Sequence, residues 1–293
     1  RNLPPFRDLP FSNALIDDLL VALQTGCDGN TECRFFDPLL HGQAERFRND
    51  FEPSADLAGL WFDPARSGHG LEIQRFGRAF ASWMYTFDET GAPEWLFFNT
   101  QRYGGTLFGE VLRFTNLGTP ADLSTSSVVV GEFSITFEPG TIPAHCPGSP
   151  HERASFTWTI DEKTDQWCLQ PILVNGSRAA PNANGMWWNG TDDSGWGFGI
   201  YSNEVTAFRV VYYFDADGTP VWAFSQGTPD EDHFDMFQAT GFCRSCPEVP
   251  RVPRLEGTFE GIIDAQPGYP AGAVSVLLNH WQRTDIAPER LSN

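Results

Sequence analysis

GLWFDPARSGHGLEIQ, at residues 59–74, is followed by YTFDETGAPEWLFF at residues 85–98, and the same pattern occurs again further along the chain. The second occurrence reads GMWWNGTDDSGWGFGI at residues 185–200 and YYFDADGTPVWAFS at residues 212–225. The offset is 126 residues at the first glycine and 127 at the last tryptophan of each copy. Because both halves of the pattern recur in the same order, the sequence predicts two tandem copies of one structural unit.

Hydrophobic and polar side chains alternate within each copy. Leu71 and Ile73 alternate with Glu72 and Gln74, which is the period of a β-strand with one buried face. Turn-forming pairs such as Pro139-Gly140 separate the alternating segments. About eight short strands in the first copy are typical of an antiparallel meander, so we expect an up-and-down β-barrel or a related β-sandwich in each copy.

The longer predicted strands can be placed by this alternation. In the first copy they are Ala79–Phe87, Glu94–Asn99, Thr106–Phe114, Val128–Phe137, Ala154–Ile160 and Gln166–Leu173. In the second copy they are Phe208–Phe214, Val221–Ser225, Phe234–Ala239, Leu255–Ile263 and Ala273–Trp281.

Composition divides the chain into four regions. Residues 1–56 combine a proline-rich arm (residues 1–11) with two short predicted helices, the first capped by Ser12 and ended by Gly26. Residues 57–174 and 185–293 hold the first and second β-barrel, and residues 175–184 link them. The predicted fold is therefore all-β, with two tandem antiparallel meander barrels (or sandwiches) after a short helical leader.

The chain is strongly acidic, with 38 acidic and 19 basic residues and a net charge of −19. A surface of this sign repels nucleic acid and anionic lipid, so we expect neither as a partner. The sequence contains no run that approaches the roughly 20 apolar residues of a membrane-spanning helix.

Six cysteines fall into three local pairs: Cys27 with Cys33, Cys146 with Cys168, and Cys243 with Cys246. An even number of locally spaced cysteines predicts three disulfides. Disulfides persist in oxidising compartments, so we expect a secreted or cell-surface protein.

The words GLWFDPARSGHGLEI and YTFDETGAPEWL resemble a repeat found in secreted or surface proteins of Gram-negative bacteria, often in tandem copies. The resemblance covers residues 57–100 and 183–227 and implies export and β structure. It transfers no catalytic residue. The opening Gly-x-Trp-x-Asp/Asn is also similar to the first strand of avidin-type biotin-binding barrels.

Ser67 and His69 are the residue types of a hydrolase nucleophile and its base. The second copy carries Trp196 in place of His69, so this pair is not part of the shared pattern. The alternative interpretation is structural, because Gly68 and Gly70 allow the strand to kink or a tryptophan ring to lie over the backbone.

An acidic cluster offers a candidate metal site, formed by Asp230, Asp232, His233 and Asp235. Carboxylates and imidazole are ligands of divalent cations, and calcium is the candidate cofactor. An exposed acidic loop explains the same residues equally well. The acidic loop between Cys27 and Cys33 is a second, weaker calcium candidate.

The tryptophans divide into shared and unshared positions. Trp61 and Trp187 match between the copies, and matched tryptophans are typical of a core. Trp188 and Trp196 have no tryptophan counterpart in the first copy. The candidate residues for a surface that binds a glycan or a small molecule are Trp188, Trp196, His69, Trp61 and Trp187. Among them, the two unshared tryptophans are the better candidates for exposure.

We therefore expect a secreted, non-enzymatic structural or assembly subunit, with copies of itself or another surface protein as partners. In this hypothesis residues 1–56 dock on a neighbouring subunit by adding to a sheet edge. One alternative is a protein that binds a small molecule or glycan through its tryptophans. The other is a hydrolase that uses Ser67 and His69, or a metal held by Asp230, Asp232 and His233.

Overall fold

The computed structural model describes residues 57–290, except for 77–78, 104, 120–123, 138–141, 148–152, 174–183, 191–192 and 262–272. These residues build an all-β protein without an α-helix. None of them forms a helix with the length and hydropathy of a membrane span. The predicted helical leader and the Cys27 and Cys33 pair lie outside the described residues.

The first sheet is a closed antiparallel barrel of eight strands in sequential order. Its strands are β1 (Gly59–Phe62), β2 (Gly70–Phe76), β3 (Ala79–Phe87), β4 (Pro93–Tyr103), β5 (Thr106–Asn116), β6 (Thr125–Thr136), β7 (Ala154–Ile160) and β8 (Lys163–Pro171). The barrel closes where Trp61 of β1 pairs with Pro171 of β8. The sequence left barrel and sandwich as alternatives, and this copy is a barrel.

The second sheet has nine strands in the order β16-β15-β14-β13-β12-β11-β10-β9-β17. They are β9 (Gly185–Trp188), β10 (Gly197–Ser202), β11 (Ala207–Phe214), β12 (Pro220–Gly227), β13 (His233–Thr240), β14 (Val252–Glu260), β15 (Val274–Leu278), β16 (Trp281–Ile286) and β17 (Glu289–Arg290). Only Ala287 and Pro288 separate β16 from β17, which pairs with β9. Proline lacks the N–H that a continuous strand would use here, so the last strand is broken in two.

One predicted strand of the second sheet is wrong. Ala273–Trp281 is not a single strand, because Asn279 and His280 form a turn between β15 and β16. The turn contains neither glycine nor proline, so the sequence carried no strong turn signal there. Strands β3 and β7 have the predicted bounds, and the other predicted strands differ from theirs by a few residues at their ends.

Alternate residues of the central strands have different surroundings, although both faces are buried. In β11 and β12, Val211, Tyr213 and Ala223 point into the interior of the second sheet, a nine-stranded half-barrel (the second barrel), whereas Tyr212 and Trp222 face the first sheet. The same holds in β3 and β4, where Met84 and Phe98 fill the first barrel and Tyr85 and Trp95 face the second sheet. Among the described residues, one hydrophobic cluster therefore lies inside each sheet and a third forms a layer between the sheets. A fourth, small cluster surrounds the Cys146–Cys168 disulfide.

Each sheet extends a two-stranded arm beyond its neighbouring strands. Arm 1 comprises residues 112–116 of β5 paired with 125–129 of β6, and arm 2 comprises residues 237–240 of β13 paired with 252–255 of β14. Strand β7 pairs with β6 only from Gly131 onward, and β15 pairs with β14 only from Gly257 onward. The second edge of each arm therefore has no strand partner among the described residues.

Two of the three predicted disulfides lie in the described residues. Cys146 bonds to Cys168 of β8, and Cys243 bonds to Cys246 in the loop that follows β13. Both are compatible with an oxidising compartment.

Candidate functional site

The contact between the two sheets uses the matched residues reciprocally. Trp95 Nε1 donates a hydrogen bond to the Tyr213 carbonyl (2.9 Å), and Trp222 Nε1 donates one to the Thr86 carbonyl (2.8 Å). Trp95 matches Trp222 in the sequence, and Thr86 matches Tyr213. The same patch of each copy thus contacts the other copy, which is the pattern of an isologous interface between two subunits.

The turns that follow β3 and β11 interlock with the opposite arm in the same reciprocal way. The amide of Asn116, at the end of β5, donates to the carbonyl of Gly218 (2.9 Å). The amide of Gly241, just after β13, donates to the carbonyl of Gly91 (3.0 Å). Each arm therefore lies over the other sheet and binds the turn at matched positions.

A buried carboxyl group lies at the centre of this interface. Glu72 of β2 accepts hydrogen bonds from the hydroxyls of Tyr201 (2.7 Å) and Tyr212 (2.8 Å), both in the second sheet, and from Gln74 Nε2 (3.1 Å). Its matched residue, Gly199, faces it, and any Cβ there would press on the carboxylate. Burial raises the pKa of Glu72 to about 7, although the three hydrogen bonds act in the opposite direction.

Ser67 and His69 do not form a nucleophile and base pair. Arg251 Nη2 donates a hydrogen bond to Ser67 Oγ (2.7 Å), whereas His69 is fully buried and its Nδ1 lies 2.7 Å from Thr86 Oγ1. Burial, followed by the charges of Arg66 and Arg244, lowers the pKa of His69 to about 3. Its ring packs against aromatic rings, among them Phe242 of the loop after β13 (4.6 Å between centroids).

The candidate tryptophan surface is not exposed as a whole. Trp61, Trp187 and Trp196 are buried, and Trp188 is half-buried. The expectation that Trp196 is exposed is wrong, because its ring packs against Trp281 at 4.7 Å and its Nε1 donates to Asp193 (2.9 Å).

The four candidate metal ligands are exposed at the start of β13 and in the loop before it. His233 lies 3.9 Å from Asp235 and 3.7 Å from Glu260, but these atoms form no converging group of three ligands within the described part of the chain. Two other groups do converge, namely Glu89 with Cys243 and Cys246, and His145 with Cys146 and Cys168. Because these cysteines are oxidised to disulfides, they are not available as thiolate ligands.

A buried charge network holds arm 2 against the first barrel. Arg244, only 2% exposed, lies in the loop closed by Cys243–Cys246 and forms ion pairs with Glu94 and Asp161. Arg113 binds the same two carboxylates, with both distances at 2.6 Å. Two cations and two anions balance, which offsets part of the desolvation cost of burying them.

The exposed hydrophobic side chains concentrate on the two arms. Seven large hydrophobic residues are exposed among those described, and six lie on an arm or in its connecting loop: Leu117, Val128, Val129, Val249, Val252 and Leu255. The seventh is Val205, in the turn between β10 and β11. Exposed hydrophobic groups of this kind, placed along a free strand edge, mark a surface for strand pairing.

The two free edges differ in chemistry. The edge of arm 1, residues 125–129, reads TSSVV and contains neither charge nor proline. The edge of arm 2, residues 252–255, contains Pro253 and Arg254, residue types that discourage pairing. Arm 1 is therefore the stronger candidate contact surface. The sequence signal was a β-branched run of low charge, which predicts a strand but does not tell that its edge is free.

No family model, curated protein or solved structure matches the chain. The resemblance to repeats of secreted bacterial proteins stays a prediction. Function is therefore inferred from the contacts of the described residues.

Proposed function

We propose that this protein is a secreted, non-enzymatic assembly subunit that pairs with further copies of itself through the edge of arm 1. In this proposal, residues at matched positions of the two predicted repeats hold the two sheets together within one chain. The exposed residues of arm 1 are then available for contacts between chains.

The observation that carries the proposal is the exposed edge of β6. Val128 and Val129 are 60% and 58% exposed on a strand segment that has a partner on one side only. Soluble proteins usually blunt such an edge with a charge, a proline or a covering segment, because it offers unpaired N–H and C=O groups to another strand. The β6 edge of arm 1, residues 125–129, has none of these devices among the described residues, which favours a strand partner.

A second copy is the occupant that fits best. The chain has a net charge of −19, so most of its surfaces repel the same surface of a second copy. The edge of arm 1 is uncharged, so two such edges can approach without this repulsion. Antiparallel pairing of β6 with β6 of a second chain brings Val128 and Val129 together across the new strand pair. The contact buries hydrophobic area that is now exposed to water.

The experiment measures the mass of the full chain by size-exclusion chromatography with light scattering over a range of concentrations. We expect multiples of 32.7 kDa for the wild type and a monomer for the double variant Val128→Lys and Val129→Lys. Val205→Lys is the matched control, because it adds a lysine at an equally exposed valine outside the arms and should leave the assembly unchanged.

A further variant that lacks residues 1–11 identifies the strand that occupies the edge. Assembly that persists without residues 1–11 supports pairing of β6 with β6, whereas assembly that is lost shows that the proline-rich arm supplies the strand. A wild-type protein that remains at 32.7 kDa at every concentration contradicts the proposal.

A further inference from the structure

The interior of the second barrel contains a buried arginine that has two donor nitrogens without acceptors. Arg209 of β11 is 4% exposed, and its Nε and Nη1 atoms form no hydrogen bond. A buried cation without a partner is costly, and buried polar groups are otherwise nearly always paired. Arg209 therefore calls for a ligand that accepts hydrogen bonds from it.

Ser225 of β12 is the strand partner of Arg209 and lies on the same side of the sheet. Its hydroxyl is also buried and also lacks a hydrogen-bond partner. Two neighbouring side chains with hydrogen-bond donors thus face the same interior, and they form no hydrogen bond with each other. A single acceptor placed between them would satisfy both.

Aromatic rings orient the guanidinium of Arg209. Its Cζ atom lies 3.2 Å from the centroid of the Phe234 ring and 5.3 Å from that of Phe259. Stacking on Phe234 occupies one face of the planar group. Because the N–H donors point outward in the plane of the guanidinium, they stay free to bind an acceptor.

No carboxylate of the described residues forms an ion pair with Arg209, although the charge of Glu231 acts on it. Burial lowers the pKa of Arg209 to about 10, with Glu231 acting in the opposite direction, so the group is still charged at neutral pH. Glu231 itself is exposed, and its Oε1 accepts a hydrogen bond from Thr228 Oγ1 (2.9 Å). Arg209 therefore carries a positive charge inside the barrel that forms no ion pair among the described residues.

The first barrel shows that the fold does not require this pair. The residues that match Arg209 and Ser225 are Ser82 and Phe98, which are strand partners in β3 and β4. Phe98 fills the first barrel and stacks on Phe133 at 4.3 Å. The first barrel thus has a hydrophobic ring where the second has a hydroxyl, and the cation is specific to the second.

We propose that the second barrel binds a small anion, a halide or a carboxylate group, between Arg209 and Ser225. A small ligand fits this site, because the rings of Phe234 and Phe259 lie beside the guanidinium, with their centroids 3.2 Å and 5.3 Å from Cζ. A single charge also fits, since one cation serves the site and the chain as a whole repels polyanions. Halide and carboxylate share the chemistry that Arg209 and Ser225 recognise, and titration with each separates them.

The test is a titration of the full-length protein with sodium chloride and, separately, with sodium acetate, followed by thermal unfolding. A specific site stabilises the folded state in a saturable way, as RT ln(1 + [L]/Kd), whereas general salt effects do not saturate in the same range. A rise in Tm that saturates is expected for the wild type. The anion that saturates at lower concentration is the preferred ligand.

Three variants connect this response to the site. Arg209→Gln removes the charge and should abolish the saturable rise, and Ser225→Ala should weaken anion affinity several-fold while the fold and the charge are kept. Arg254→Gln is the matched control, because it removes an exposed arginine of the same sheet and should leave the response unchanged. A crystal soaked in bromide should show anomalous density within hydrogen-bonding distance of Arg209.

The proposal is overturned if the wild type, Ser225→Ala and Arg254→Gln respond identically, since the anion then acts on the whole surface. Where chloride is the anion that saturates, absence of bromide at Arg209 in a crystal of the wild type overturns it as well. If Arg209→Gln does not fold, the comparison of Ser225→Ala with Arg254→Gln decides the question.

Discussion

At matched positions of the two sheets, single residues can differ in charge while the contact that they make is the same. Arg66 and Asp193 match in the loops that precede β2 and β10, and Asp165 and Arg283 each lie two residues into the last long strand of their sheet. Arg66 pairs with Asp165 at 2.6 Å, and Asp193 pairs with Arg283 at 2.8 Å. The ion pair is kept while its two charges are exchanged. The ion pair therefore forms whichever of the two positions carries the positive charge.

Glu72 should make the stability of the protein depend on pH. Its pKa is about 7 in the folded protein against 4.5 as the ordinary value, so the folded state holds a proton between these values that the unfolded state has lost. The free energy of unfolding therefore falls as pH rises from about 4.5 to about 7. The shift corresponds to about 3 kcal/mol.

Urea unfolding of the wild type and of Glu72→Gln at pH 5 and pH 8 measures this effect. The glutamine keeps the size of the side chain and does not titrate, so the wild type should lose about 3 kcal/mol more than the variant between the two pH values. Other titrating groups act on both proteins and cancel in the difference. Parallel pH profiles would mean that burial does not raise the pKa of Glu72.

At the scale of the elements, the turns and arms determine how closely the two sheets approach. Gly218 has φ of 78°, and a Cβ at this position would overlap the Asn116 carbonyl of the opposite arm. Gly91, its matched residue, has φ of 83° and faces the Gly241 carbonyl in the same way. Glycine is needed here for two reasons, the left-handed conformation and the space.

Gly218→Ala should lower the free energy of unfolding more than Gly190→Ala does. Gly190 has nearly the same φ, 77°, but a methyl group added there would lie 3.8 Å from its nearest neighbour, Glu289, so only the backbone cost of about 1–2 kcal/mol applies. Gly218→Ala adds a steric cost of about 1–3 kcal/mol. Equal destabilisation of the two variants, measured by urea unfolding, would show that the turn and the arm are not in close contact.

At the scale of the whole molecule, the two sheets share one hydrophobic layer. Tyr85, Trp95, Tyr212 and Trp222 belong to the same cluster between the sheets, and the ion pairs of Arg244 cross the same boundary. Separation of the sheets would expose these rings and would leave buried charges unpaired, which is costly. The sheets should therefore unfold together although each has its own interior.

Calorimetry of the full chain should show a single transition whose calorimetric and van't Hoff enthalpies agree. Trp222→Phe removes the bond to the Thr86 carbonyl and should lower Tm without splitting the transition. Trp83→Phe is the control in the same layer, because the Trp83 ring forms no hydrogen bond to the other sheet among the described residues. Two resolved transitions in the wild type would show that the sheets are independent domains.

The sequence by itself determined the β character of the chain and the strand-and-turn order of the first barrel. Proximity along the chain also indicated the pairs Cys146–Cys168 and Cys243–Cys246, which the structure confirms. These features depend on local alternation, turn residues and short loops, which are visible along the chain. The boundary between β15 and β16 was not predicted, because the turn between these strands contains no glycine or proline.

Only the tertiary structure decided what covers the second face of each strand. Alternation distinguishes two faces, but it does not tell whether water or another sheet lies against the polar one. Glu72 therefore looked like a solvent-facing residue and is buried, His69 and Trp196 looked accessible and are not, and Val128 and Val129 lie in a predicted strand whose edge turns out to be exposed. Arg209 and Ser225 became neighbours only through the pairing of β11 with β12. Each of these surroundings is built by segments far apart in the chain, and local pattern carries no information about such contacts.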